Sequence, residues 1–187
     1  TEGNSIQKVN SSNTEIIVNL LHEKNKEEIP EEELYLKTED YLIGNTKEYT
    51  EGDKYISRVK PYVSKYHEDR TTVDTFKNNI STNADSIEVF DINGKEVKGN
   101  SLIGTNMQLK LTKGTQNIVL TIVVTGDTNG DGKITVGDSS AIVNHSKGKI
   151  TLVGAYLEAA DTNYDGQVTV EDKSVLTNVR LNLEKDF

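Results

Sequence analysis

Apolar positions recur with a period of two over most of residues 34–124, and the period changes only once. Tyr35 to Ile43 and Lys54 to Val59 read as strands, punctuated by Gly44 and Gly52. Ser86-Ile-Glu-Val-Phe-Asp91 runs into Asn93-Gly94 and then Lys95-Glu-Val97. Asn-Gly between alternating runs is a strong hairpin signal, because a two-residue type I′ turn takes φ > 0 at both positions. Met107, Leu109 and Leu111 alternate, Lys113-Gly114 turns the chain, and Asn117 to Val124 returns as a final strand. The one interruption is helical. Thr71-Thr-Val-Asp74 has the form of a capping box with Asp in place of Glu, and Val73, Phe76 and Ile80 follow at helical spacing. The expectation over residues 34–125 is a β-rich α+β module with one short helix.

Ahead of it the pattern is ambiguous. Thr14 to Leu21 fits an alternating strand or a helical stripe, and Glu23 to Glu33, with Pro30 inside it, is dominated by charge. Residues 1–33 therefore read as a linker or the tail of a preceding domain. The first residue is not Met, so the chain is expected to be an excised or mature piece of a longer protein.

After Val124 the chemistry changes. Asp127-Thr-Asn-Gly-Asp-Gly-Lys-Ile-Thr-Val-Gly-Asp138 and Asp161-Thr-Asn-Tyr-Asp-Gly-Gln-Val-Thr-Val-Glu-Asp172 start 34 residues apart and agree at eight of twelve positions. A twelve-residue calcium loop supplies oxygens from positions 1, 3 and 5, a backbone carbonyl at 7, position 9, and a carboxylate at 12, with Gly at 6 for the turn. In the first loop these are Asp127, Asn129, Asp131, Lys133 through its carbonyl, Thr135 and Asp138, with Gly132 turning. In the second they are Asp161, Asn163, Asp165, Gln167 through its carbonyl, Thr169 and Asp172, with Gly166. Two complete copies predict two Ca²⁺ sites. Ile134 and Val168 at position 8 are β-branched, as expected where paired loops share a small core.

Two departures from an ordinary helix–loop–helix are visible. Position 12 is Asp, one methylene shorter than Glu, and Ile118 to Gly126 ahead of the first loop reads as a strand. Each unit is thus expected to be a loop followed by one helix. Superposed with the offset of 34, Val136/Val170, Ser140/Ser174 and Asn144/Asn178 are identical pairs spaced by four, so they share a helical face. Ala141/Val175, Ile142/Leu176 and His145/Val179 fall on roughly the opposite side. The duplicated face is not the core face, which makes it the expected partner-binding surface, with either helix able to dock.

Composition narrows the alternatives. Only 34% of residues are hydrophobic and 6% aromatic, with no Trp, which favours two modest cores over one large one. The chain has no Cys, so disulfides and thiolate metal sites are excluded. A net charge of −9 disfavours nucleic acid and anionic lipid. Six Asp of that charge lie in the two loops, and two Ca²⁺ would bring −9 to −5. No segment approaches the roughly 20 apolar residues of a membrane span, so no membrane insertion is expected. Outside the loops there is no carboxylate pair with a histidine, no Ser/His/Asp or Cys arrangement and no phosphate loop, and no catalytic residue is expected. His67 reads as a solvated loop residue and His145 as a packing or contact residue.

Gly126-Asp-Thr-Asn-Gly-Asp-Gly-Lys-Ile-Thr and Gly154-Ala-Tyr-Leu-Glu-Ala-Ala-Asp-Thr-Asn-Tyr-Asp-Gly resemble a dockerin module, from about Gly126 to Leu183. The resemblance implies a small, all-α, secreted module with two EF-hand-like calcium loop–helix repeats that plugs, without catalysis, into a cohesin domain of another extracellular or cell-surface protein. Dockerins best known from cellulosome-like complexes attach carbohydrate-active enzymes, so the resemblance also implies a role beside polysaccharide degradation. Tyr55 to Pro61, Thr72 to Phe76 and Ile103 to Met107 are similar to an X-type module found directly before such dockerins. The most studied type of dockerin carries Ser-Thr at loop positions 10 and 11. Here Val136-Gly137 and Val170-Glu171 stand there, which points to a different, more hydrophobic cohesin surface. The expected organisation is two-domain, with residues 34–125 as the β-rich module and 126–187 as the dockerin. Only Thr125-Gly126 joins them, so a fixed angle between the two is expected. The rival readings are a calcium-stabilised structural stalk, and carbohydrate binding through Tyr35, Tyr41, Tyr49, Tyr55, Tyr62 and Tyr66 if those rings are exposed.

Overall fold

The computed structural model describes residues 32–44, 54–63, 72–181, 183 and 187. Thr14 to Leu21, His67, Tyr49, Tyr66 and nearly all of the charged stretch 23–33 lie outside them. Leu34–Phe187 form one compact unit, β-rich in its N-terminal region and helical towards the C-terminus.

Eight strands are described: β1 Leu36–Lys37, β2 Leu42–Gly44, β3 Tyr55–Val59, β4 Ser81–Thr82, β5 Ser86–Phe90, β6 Glu96–Val97, β7 Gln108–Lys113 and β8 Gln116–Val124. Six of them make one sheet in the order β2-β3-β8-β7-β5-β6, and β1 pairs separately with β4. All pairs are antiparallel except β3 with β8. The sheet's inward residues, among them Ile56, Val89, Leu109, Leu111, Leu120 and Ile122, close over the helix α1 Val73–Asn78 through Val73 and Phe76. Alternation along the strands therefore did place the core.

Three local expectations are corrected. Tyr35 to Ile43 is not one strand, because the Thr38 hydroxyl donates to the Asn79 carbonyl and accepts the Asp40 N–H, turning the chain between β1 and β2. The α1 cap is Thr72, whose Oγ1 accepts the Thr75 N–H, so the start lies one residue after Thr71. The β5–β6 hairpin has a three-residue loop in place of a two-residue one. The Asp91 N–H donates to the Lys95 carbonyl, and only Gly94 is left-handed, at φ +76°. Asp91 Oδ1 accepts the Asn93 and Lys95 N–H groups, and this side-chain turn lets Asn93 keep a negative φ.

The strand β8 delivers the first loop. Beyond Val124 the ladder continues through the Thr125 N–H to the Val59 carbonyl, and the Gly126 N–H then bonds the Ala159 carbonyl at 2.6 Å. Gly126 has φ +81°, and a Cβ there would collide with Leu176 and Ile134, so glycine is required twice over. Three helices follow: α2 Val136–Ser146, α3 Ala155–Ala160 and α4 Val170–Arg180. The expectation of one helix per unit fails at α3, which enters the second loop. Six residues are too short to display a helical stripe, and α3 holds by tertiary packing. Ala155 and Ala159, one turn apart, bury against Tyr55 and Val123, where only a methyl-sized side chain lets the helix approach. The junction at Thr125-Gly126 is thus buried within an interface between sheet and helices.

Candidate metal centres and partner face

The two loops share one pattern of N–H bonds to positions 1, 3 and 5. At position 1 the carboxylate Oδ2 accepts the N–H of the position-6 glycine, at 2.9 Å for Asp127–Gly132 and 2.8 Å for Asp161–Gly166. Its Oδ1 accepts the N–H of position 5, at 3.2 and 3.1 Å. Asn129 and Asn163 accept the same N–H, at 3.0 and 3.1 Å, and Asp131 and Asp165 accept the N–H of Lys133 and Gln167 at 2.8 and 2.9 Å. These side-chain turns orient the oxygens of positions 1, 3 and 5 through N–H groups of the loop's own backbone.

Position 12 performs a second task. Asp138 and Asp172 are the third residues of α2 and α4, and each closes a capping box with Thr135 or Thr169. Asp138 Oδ2 accepts the Thr135 N–H at 2.9 Å and Asp172 Oδ2 the Thr169 N–H at 2.7 Å. Their Oδ1 atoms reach back to the Thr128 and Thr162 N–H groups at 3.0 and 2.8 Å. One carboxylate therefore ties the loop's start to the helix's first turn. The threonine hydroxyls are the caps: each accepts an N–H, from Gly137 or Glu171, and donates to the aspartate.

Asp127, Asp138 and Asp172 are fully buried, yet among the described residues none of the six loop aspartates pairs with Lys or Arg. Burial pushes the Asp127 carboxyl up to about 6, against the lowering effect of N–H bonds from Thr105, Gly132 and Gly130, with Asp138 adding to the rise. Burial also raises Asp161. No three described carboxylate or imidazole groups gather as a cluster by themselves, so amide, hydroxyl and carbonyl oxygens must complete any donor set. Buried, uncompensated carboxylates among oxygen donors alone fit a hard divalent cation.

Ile134 and Val168 meet the same small core as Ile142, Ala160 and Leu176. The Ile134 N–H, however, bonds the Tyr62 carbonyl of the β-rich region at 3.0 Å. His145 is neither exposed nor near a ligand set: its Nδ1 accepts the Leu152 N–H and fastens the connection after α2.

The duplicated helical face is outward, with Val136 63% and Val170 55% exposed and both Ser140 and Ser174 exposed; Asn144 and Asn178 are half-buried. Ser140 and Ser174 each donate to the carbonyl one turn back, leaving acceptor lone pairs outward. The repeat persists to the helix ends, where the Asn144 and Asn178 carbonyls accept the N–H five residues on. A groove between α2 and α4 breaks the symmetry. It is bordered by Val136, Ser140 and Asn144 of α2 but by Lys173, Thr177 and Arg180 of α4. Sequence superposition saw the repeated face and missed the groove, which depends on how α2 and α4 pack. Of the tyrosines offered for sugar stacking, Tyr41 stacks on Phe76 and Tyr55 is buried, while Tyr35 is partly exposed beneath Lys37.

Residues 125–179 match the family model of the dockerin type I domain. The segment is a C-terminal dockerin module, of a family that binds calcium in paired EF-hand-like loops and serves as a non-catalytic protein–protein interaction module, typically for cohesin. Such modules occur in extracellular and cell-surface proteins, and no described helix is long and apolar enough to cross a membrane. No curated protein and no solved structure matches the chain.

Proposed function

We propose that residues 126–187 are a calcium-folded plug that attaches a larger secreted protein, carbohydrate-active in type, to a cohesin-bearing extracellular partner. Residues 34–125 are its supporting module, and the chain carries no catalysis of its own. What supports this is the hydrogen-bond pattern the two loops share; on this reading Asp127, Asn129, Asp131, Thr135 and Asp138, with the Lys133 carbonyl, are one set of Ca²⁺ ligands. Asp161, Asn163, Asp165, Thr169 and Asp172, with the Gln167 carbonyl, make the other. Calcium neutralises the buried carboxylates and thereby fixes the first turns of α2 and α4, which present the docking face.

Val136, Ser140 and Asn144, or Val170, Ser174 and Asn178 after a half-turn rotation, meet the cohesin. The exposed valines at loop position 10 favour an apolar patch on it. The β-rich module binds no sugar through Tyr41 or Tyr55, whose rings are spent on Phe76 and on the interface with α3. Immobilised protein offered a panel of cohesins in calcium should retain at least one and release it in chelator. Retention of none, or retention indifferent to chelator, would leave calcium a structural role only.

A further inference from the structure

The two loops share the N–H bonds given above, and differ in the side-chain bonds of Thr128/Thr162 and Asn129/Asn163 and in what surrounds them. Asp127 Oδ2 accepts one N–H more than its counterpart Asp161: that of Thr105, at 2.9 Å, from the turn before β7. Around that turn the backbones touch. A Cβ on Gly104 would collide with the Gly130 carbonyl, one on Gly132 with the Ile103 carbonyl, and one on Gly130 would stand 2.9 Å from the Thr105 oxygen. Tyr62 pairs with the loop from the other side. Its N–H bonds the Gly132 carbonyl at 3.1 Å and its carbonyl accepts the Ile134 N–H at 3.0 Å, so Lys133, whose carbonyl faces the metal in the proposed ligand set, is held between two ladder bonds. Among the described residues the second loop has no such walls. A Cβ on Gly166 would meet nothing within 4 Å; Gly166 is exposed where its counterpart Gly132 is buried, and Asp161 is half-buried where Asp127 is buried. Its one described tie to the β-rich region runs through the Tyr164 side chain, which bonds Thr125 and lies under Arg58.

Resting on the calcium reading above, we propose that Tyr62 and the Ile103–Asn106 turn, all outside the matched segment, are positioning residues that preform the first calcium site. The two sites are then inequivalent: the first fills at lower calcium, and the second orders only as it binds. A loop held in its bound shape spends less conformational entropy on the metal, and the binding free energy rises accordingly.

The test follows the backbone amides of Gly132 and Gly166 by NMR as calcium is added to the metal-free chain. Gly132 should reach its midpoint at about tenfold lower calcium than Gly166. In Gly104→Ala the Gly132 midpoint should move up by about tenfold, with Gly166 shifted far less. Coincident midpoints in the unaltered chain, or equal shifts of both in the variant, would overturn the inference. Should Gly104→Ala not fold, hydrogen exchange in the metal-free unaltered chain decides: the Gly132 amide should be the better protected, and equal exchange would overturn it. If neither amide responds to millimolar calcium, the calcium reading itself is lost, a result distinct from two responses that coincide.

Discussion

Asp127 is a carboxylate placed where a carboxylate is uncomfortable. Three N–H groups face it within 2.9 Å, yet burial dominates and raises its pKa to about 6. A carboxyl whose folded pKa lies above its unfolded value stabilises the fold below that unfolded value, and the contribution is lost as pH rises through about 6. In the metal-free protein this group therefore favours acid, by up to about 3 kcal/mol. Calcium reverses the preference because it needs the carboxylate. The calcium-induced rise in melting temperature should thus be larger at pH 7 than at pH 5, and an equal rise would mean that Asp127 does not titrate in this window. Gly126 is the other residue with no substitute. Gly126→Ala combines a left-handed φ with collision against Leu176 and Ile134, and should destabilise by about 2–4 kcal/mol in urea unfolding.

At the scale of elements, α2 and α4 begin on side chains that also serve the loops. Removing position 12 therefore removes a cap and a ligand together. Asp172→Ala should abolish calcium binding at the second loop and weaken α4 by about 1 kcal/mol even without metal. Calorimetry with calcium, and circular dichroism in chelator, separate the two effects. The duplicated faces make a different forecast. Replacing Ser140 and Asn144 together with Ser174 and Asn178 by Ala should lower cohesin affinity, whereas either pair alone should be partly compensated by the other helix. Unchanged affinity in the fourfold variant would place the docking face elsewhere. The groove beside α2 gives the two faces different surroundings, so the two half-variants need not lose affinity equally.

Across the whole unit, the sheet and the helices are joined by more than a tether. Thr125 continues the β3–β8 ladder, Ala155 and Ala159 pack on Tyr55 and Val123, and Tyr62 pairs with the first loop. The β-rich region and the dockerin helices should therefore tumble together. NMR relaxation giving separate correlation times for β7 and α4 would contradict the packing.

The sequence by itself determined whatever depends on residues close along the chain. The two loops, their glycines and the outward repeat of Val136, Ser140 and Asn144 were legible, because each rests on side chains within about a dozen positions, whereas the capping role of Thr135 and Thr169 was not read. Strand alternation likewise put Leu109 and Leu111 on one face, and both are buried. Tertiary structure alone decided the rest. The helix α3 is held by contact with Val123 of β8 and Tyr55 of β3, and its own period is too short to announce it. The side-chain turns at Thr38 and Asp91 overrode a strand and a hairpin type through bonds that periodicity does not register. The walls of the first loop come from backbone atoms of Tyr62, Ile103 and Thr105, and backbone atoms are the same in every residue, so no pattern of side chains could have pointed to them.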